Sequence, residues 1–173
     1  MGGAKDCRYK KTEEKILAVF FKHPECTMWE LAKKAGIARS TIYTHHCSVR
    51  QIIPNCEKRI LEEYSMIIGK KMRNAKVGLL YLDTVVFIAK NRKIFEMFLK
   101  FSGREIIIKM ILILEPKINE PEKVFKIYCS EVVEVIFEWG ERGFEQGEIE
   151  KVLADIMYLT RTCHDRLMPL CRE

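Results

Sequence analysis

A chain of 173 residues has room for one mid-sized domain or two small ones. With 48% hydrophobic and 31% charged residues, the composition excludes a disordered chain and leaves enough apolar side chains for a core. No apolar run reaches the ~18 residues of a membrane span, since the longest, 106–114, is broken by Lys109.

The net charge is +6, and its placement is uneven. Residues 1–60 carry 12 Lys/Arg against 6 Asp/Glu, whereas residues 61–173 carry 18 of each. The whole excess lies on the first third, the electrostatic footprint of a nucleic-acid-binding module on a neutral body. Seven cysteines, at positions 7, 26, 47, 56, 129, 163 and 171, form no CxxC pair. With an odd count and no secretory signal, free thiols in a cytoplasmic protein are expected.

In chain order, Lys5, Arg8, Lys10 and Lys11 form a basic arm suited to the DNA backbone. Thr12 is placed to cap a helix running to about Lys22, with Ile16, Leu17, Phe20 and Phe21 on one face. Pro24 closes the connection. Thr27 and Glu30 have the spacing of a capping box, and Gly36 supplies the C-terminal stop. The helix between them presents Trp29, Leu31, Ala32 and Ala35 as an apolar side. A second helix, about 38–45, turns Ile42 inward and carries Arg39, Ser40, Thr41, Tyr43 and His45. Helix, glycine turn, helix is the helix-turn-helix pattern. Ser48 and Gln51 read as another capping box. They open a longer helix to about Lys71, with Pro54 tolerated in its first two turns.

At these residues the sequence resembles the DNA-binding domain of the tetracycline-repressor (TetR) family of bacterial regulators. The matching positions are Thr27, Leu31, Ala32, Ala35, Gly36, Ile37, Ile42, Tyr43, His45, Ser48 and Ile52, without a gap. Ala38, His46 and Val49 depart from the family pattern, which has serine, phenylalanine and lysine there. The resemblance implies that Thr27, Arg39, Ser40, Thr41, Tyr43, His45 and Arg50 contact DNA. Arg39 and His45 would reach base edges; Thr27, Thr41, Tyr43 and Arg50 would reach phosphates.

The rest of the chain is expected to be helical throughout. Helices are predicted over 77–89, 93–101, 104–114 (opened by Ser102 and Glu105, stopped by Pro116), 122–142 and 148–167. No segment alternates with period two over a length that demands a strand. The predicted architecture is therefore all-α, with a helix-turn-helix domain over 1–56 and a helical effector-binding and dimerisation domain over 57–173. The long helix joining them is the expected lever between body and head. The stretch from Phe137 to Ile156 resembles the dimerising end of TetR-type bodies, with Trp139, Gly143 and Phe144 in a W-x-x-x-G-F turn. Val132, Ile136, Trp139, Val152, Ile156 and Met157 are the expected dimer surface, because helices this apolar need cover. Tyr64, Met66, Tyr81, Phe87, Phe98, Met110 and Tyr128 either form ordinary core or line a cavity for a small apolar effector, which the family commonly binds.

No phosphate loop, G-x-S-x-G or H-E-x-x-H motif points to catalysis. His45, His46, Cys47 and Cys56 are the one metal-like group in the sequence. Adjacent histidines point about 100° apart on a helix, so His45 is expected at the surface, His46 inside, and no metal or cofactor is expected. The implied function is a transcriptional regulator, a repressor, that binds a palindromic operator as a homodimer and is released by an apolar effector. A co-regulator whose head binds a protein, or a carrier or enzyme with a vestigial head, is the alternative.

Overall fold

The computed structural model describes residues 3–72, 77–118 and 122–167. These residues are almost entirely helical, with no strand among them. No helix is long and apolar enough to cross a membrane. The chain divides into two compact units, Met1–Lys58 and Arg59–Glu173.

Unit 1 begins with α1, Gly3–Phe20. This helix starts nine residues before the expected Thr12 cap. Thr12 is an interior position whose hydroxyl donates back to the Arg8 carbonyl at 2.9 Å, so it sits inside the helix it was expected to start. The basic stretch 5–11 is therefore helical rather than an extended arm. Helix α2, Met28–Ala35, opens on the Thr27–Glu30 capping box. The Glu30 amide donates to Thr27 Oγ1 (3.3 Å), and the Thr27 amide donates to Glu30 Oε2 (2.8 Å). Gly36 closes α2 in the left-handed conformation, φ 64°, which glycine adopts without a Cβ penalty. Met28, Leu31 and Ala32 are its buried side, whereas Trp29 is 55% exposed. Trp29 was expected inside. Its ring is instead covered from above by the Lys33 ammonium, 5.4 Å from the ring centre.

Helix α3, Arg39–His45, follows after three residues and buries Ile42. Helices α1, α2 and α3 pack in sequence around Ile16, Leu17, Phe20, Leu31 and Ile42. The next segment opens differently from expectation. Ser48 makes no side-chain cap, and Val49–Gln51 is a single 3-10 turn leading into α4, Ile52–Met72. Pro54 falls in the first turn of α4, where its missing amide costs no helix bond. The division between the two units falls within α4.

Unit 2 continues with α5 (Val77–Lys90), α6 (Arg92–Phe101), α7 (Glu105–Ile118), α8 (Glu122–Glu141) and α9 (Ile149–Leu167). Helix α7 runs two residues past Pro116, where a stop was expected. Helix α8 packs on α7 and α9, and α5 packs on α9. Gly143 ends α8 at φ 80°, and Phe144 follows at φ 51°. That turn folds Phe144 back edge-on against Trp139, with ring centres 5.0 Å apart. Gly140 makes room for it: a Cβ there would meet the Phe144 ring at 2.7 Å. Trp139 donates its indole N–H to the Glu145 carbonyl at 3.1 Å, so its one polar atom is satisfied at full burial.

This packing corrects the expected dimer surface. Val132, Ile136, Trp139, Val152 and Ile156 are each at most 1% exposed within a single chain. Neighbouring helices of the same unit supply the cover that a partner was expected to supply. Of the six, Met157 alone stays on the surface, at 45% exposed.

The expected effector lining also separates. Tyr64, Tyr81, Phe87, Phe98 and Met110 are buried. Tyr64 lies 5.4 Å from Phe87 ring to ring, Phe87 6.3 Å from Phe95, and Phe95 5.8 Å from Phe98. Thr84 gives its hydroxyl proton to the Leu80 carbonyl (2.8 Å), so Tyr64 is the donor in the 2.7 Å contact between the two hydroxyls. Burial pushes the Tyr64 phenol far above its ordinary pKa, against its hydrogen bond with Thr84, which lowers it. Met66 does not join this cluster. It is 62% exposed and borders an open, shallow depression with Ser65, Gly69 and Lys70. The Tyr128 side chain lies outside the described residues.

Candidate nucleic-acid interface

Helix α3 is held by two kinds of contact. Ile42, fully buried, ties its inner face to the core. At its C-terminal end, His45 and His46 close on a carboxylate from α1. His45 Nδ1 donates to Glu13 Oε2 at 2.7 Å. Asn55 Nδ2 donates to His46 Nδ1 at 3.3 Å, which leaves the His46 ring proton on Nε2. That nitrogen faces Glu13 Oε1 at 3.1 Å, but it lies out of line for a hydrogen bond, so the contact is electrostatic. The three side chains are 1–4% exposed. Tyr9 lies over the His45 ring, centres 3.9 Å apart and nearly parallel.

His45 was expected to reach a base edge. It does not: its ring faces α1, because a buried carboxylate must find a partner and the imidazole is the one in reach. Both histidines are inside, where only His46 was expected. Sequence reasoning missed Glu13, although a signal existed. Glu13, Ile16, Leu17 and Phe20 follow the i, i+3, i+4, i+7 rule of a buried face, and a carboxylate on that face requires a buried donor.

The outward side of α3 carries Arg39, Ser40, Tyr43 and Thr44, all exposed, with Thr41 half-buried. Ala38 begins the helix in extended conformation with no side-chain cap. The Arg39 guanidinium sits over the Tyr43 ring, 6.0 Å from its centre. The i, i+4 spacing brings these two together, and the contact restrains a long flexible side chain. Thr44 donates to the Thr41 carbonyl at 2.7 Å. Arg50, on the 3-10 turn, is exposed. Thr27 is exposed too, but its hydroxyl proton goes to Glu30 Oε2 at 2.8 Å. Of the seven expected contact residues, Arg39, Ser40, Tyr43 and Arg50 are thus presented to solvent.

His45, His46, Cys47 and Cys56, the metal-like group of the sequence, do not come together. His45 and His46 face Glu13, Cys47 is exposed and Cys56 is buried. A different trio does: His23, Glu25 and Cys26, in the turn between α1 and α2. Cys26 is buried. Burial first, then the Glu25 and Glu30 carboxylates, push its thiol pKa up. Cys26, Cys47, Cys56 and Cys129 are not in disulfides.

Set against known proteins, the chain matches no family model, no curated protein and no solved structure.

Proposed function

We propose that this chain is a DNA-binding transcriptional regulator of the TetR type, with α2 and α3 as a helix-turn-helix and α3 as the element that enters the major groove. The observation that carries this reading is the outer side of α3. A short helix exposes Arg39, Ser40, Tyr43 and Thr44 together, on the third of the chain that holds the whole net positive charge. Arginine and hydroxyl side chains suit base edges and phosphates. The restraint of Arg39 by Tyr43 lowers the entropy cost of placing a guanidinium on a guanine edge.

Gel shifts of the full chain with genomic fragments at moderate salt test the reading. One fragment class should bind well above random DNA. Arg39→Ala should weaken discrimination at one base pair by about 1–3 kcal/mol, while Arg50→Ala should weaken all sequences alike. If no fragment outcompetes random DNA, the regulator reading fails. In that case the exposed Trp29 favours a protein partner for the head, since tryptophan is enriched at the centre of protein interfaces.

The active form is proposed to be a homodimer. Among the apolar side chains left outside in unit 2, candidates for its surface are Ile108 and Leu112 on α7, Ile127 on α8, and Met157 and Tyr158 on α9. Sedimentation should show a dimer at micromolar concentration, and Leu112→Glu or Tyr158→Glu should shift it toward monomer. An effector is proposed to be small and apolar. It would have to part the Tyr64, Phe87, Phe95 and Phe98 rings, which pack on one another.

A further inference from the structure

We propose that the turn His23–Pro24–Glu25–Cys26 is a binding site for a borderline divalent transition ion of the zinc class, held by His23, Glu25 and Cys26. A ring nitrogen, a carboxylate oxygen and a thiol sulfur from these residues all lie within 4.8 Å of one another. His23 Nδ1 and Glu25 Oε1 are already 3.5 Å apart. Donors around a tetrahedral zinc ion, at bond lengths of about 2.0–2.3 Å, stand roughly 3.3–3.7 Å from each other. The trio therefore needs a contraction of about 1.5 Å at most. The two groups that would move are free to do so: the His23 and Glu25 side chains are 42% and 71% exposed. Cys26 is the fixed point, buried at 7% exposure.

The backbone beneath the donors is braced on both sides. The His23 amide donates to the Val19 and Phe20 carbonyls at the end of α1 (3.0 and 3.2 Å), and the Cys26 amide donates to the His23 carbonyl at 3.2 Å. Pro24 fixes φ between them, and Thr27 begins the capping box of α2. Such a turn holds its donors with little further entropy to lose. Glu25 and Glu30 place negative charge around the thiol, partly offset by the Lys34 ammonium, and the balance favours a cation there. One nitrogen, one oxygen and one sulfur donor match zinc rather than calcium or magnesium, which take oxygen alone. Three protein ligands leave the fourth position to water. Bound, it would clip the α1–α2 turn. The site is independent of the DNA-binding reading.

The experiment uses the full reduced chain, zinc in competition with a chromogenic chelator, and cobalt as an optical probe. One zinc per chain should be retained, and the cobalt complex should show thiolate-to-metal charge-transfer absorption. Cys26→Ser should abolish that absorption, and His23→Ala should weaken zinc binding at least about tenfold. Cys47→Ser, an exposed thiol outside the trio, should change neither. Circular dichroism reports folding. If Cys26→Ser does not fold, His23→Ala and Glu25→Gln, both at exposed side chains, decide the matter through zinc affinity. Unchanged affinity in both, a charge-transfer band that survives Cys26→Ser, or no retained ion each overturns the site.

Discussion

Unit 1 buries a carboxylate between two imidazoles, whereas unit 2 buries rings against rings. The Glu13–His45–His46 contact spends most of its attraction on the cost of taking charge out of water. What it supplies is direction: Glu13 on α1 accepts from His45 at the end of α3, 32 residues away. The Trp139–Phe144–Phe95–Phe98 series supplies apolar area, which stabilises without selecting a partner atom by atom. The contrast teaches that a small helical unit can use a polar contact to aim a helix and leave depth of stability to the larger apolar interior.

The contrast is open to direct attack. The largest loss is expected in unit 2, where Trp139→Ala removes the largest fully buried side chain and should cost about 4 kcal/mol, read from chemical denaturation. Glu13→Ala comes next, at about 3 kcal/mol, because it leaves two buried imidazoles facing an empty place. A triple change, Glu13→Met with His45→Leu and His46→Phe, should recover most of that loss. If the triple variant stays as unstable as Glu13→Ala, the trio contributes stability in its own right and the contrast collapses. Tyr64→Phe should cost about 1 kcal/mol, since one buried hydrogen bond is lost while the ring stays. Thr27→Ala should cost about 1 kcal/mol as well, confined to unit 1.

The smallest effect is one of pH. The Thr27 backbone amide, then its hydroxyl, hold the Glu30 carboxyl below its ordinary value of 4.5. A lowered folded-state pKa means the cap's contribution is complete above that value and is lost as the pH falls through the lower, folded one. Thr27→Ala should flatten this acid dependence, which thermal melts between neutral and acid pH would reveal.

What was legible in the sequence has a common physical scale. The Thr27–Glu30 box, the Gly36 stop and the Gly143–Phe144 turn are all made by atoms within about five residues of each other, and each was written in residue type and spacing. The helical class followed from apolar periodicity alone. Much of what escaped depends on distant residues. Nothing local to His45 marks it as turned inward; only Glu13, on another helix, decides it. Val132, Ile136 and Trp139 looked surplus to a small body because the sequence does not show how completely neighbouring helices cover them. Trp29 was placed inside by its apolarity, although Met28 takes that position. The His23–Glu25–Cys26 trio was overlooked because adjacent residues on a helix or strand diverge, and only this tight turn brings three donor atoms together.

The two tryptophans of the chain stand at opposite extremes, one in each unit. Trp29 is 55% exposed on α2, and Trp139 is fully buried in unit 2. The emission of the intact molecule is thus a sum of a red-shifted, quenchable component and a blue-shifted, shielded one. Aqueous quenchers would silence the first and spare the second. Trp29 shares its unit with the proposed reading helix and the proposed metal turn, so light from that residue alone would report an event in the head without any label attached.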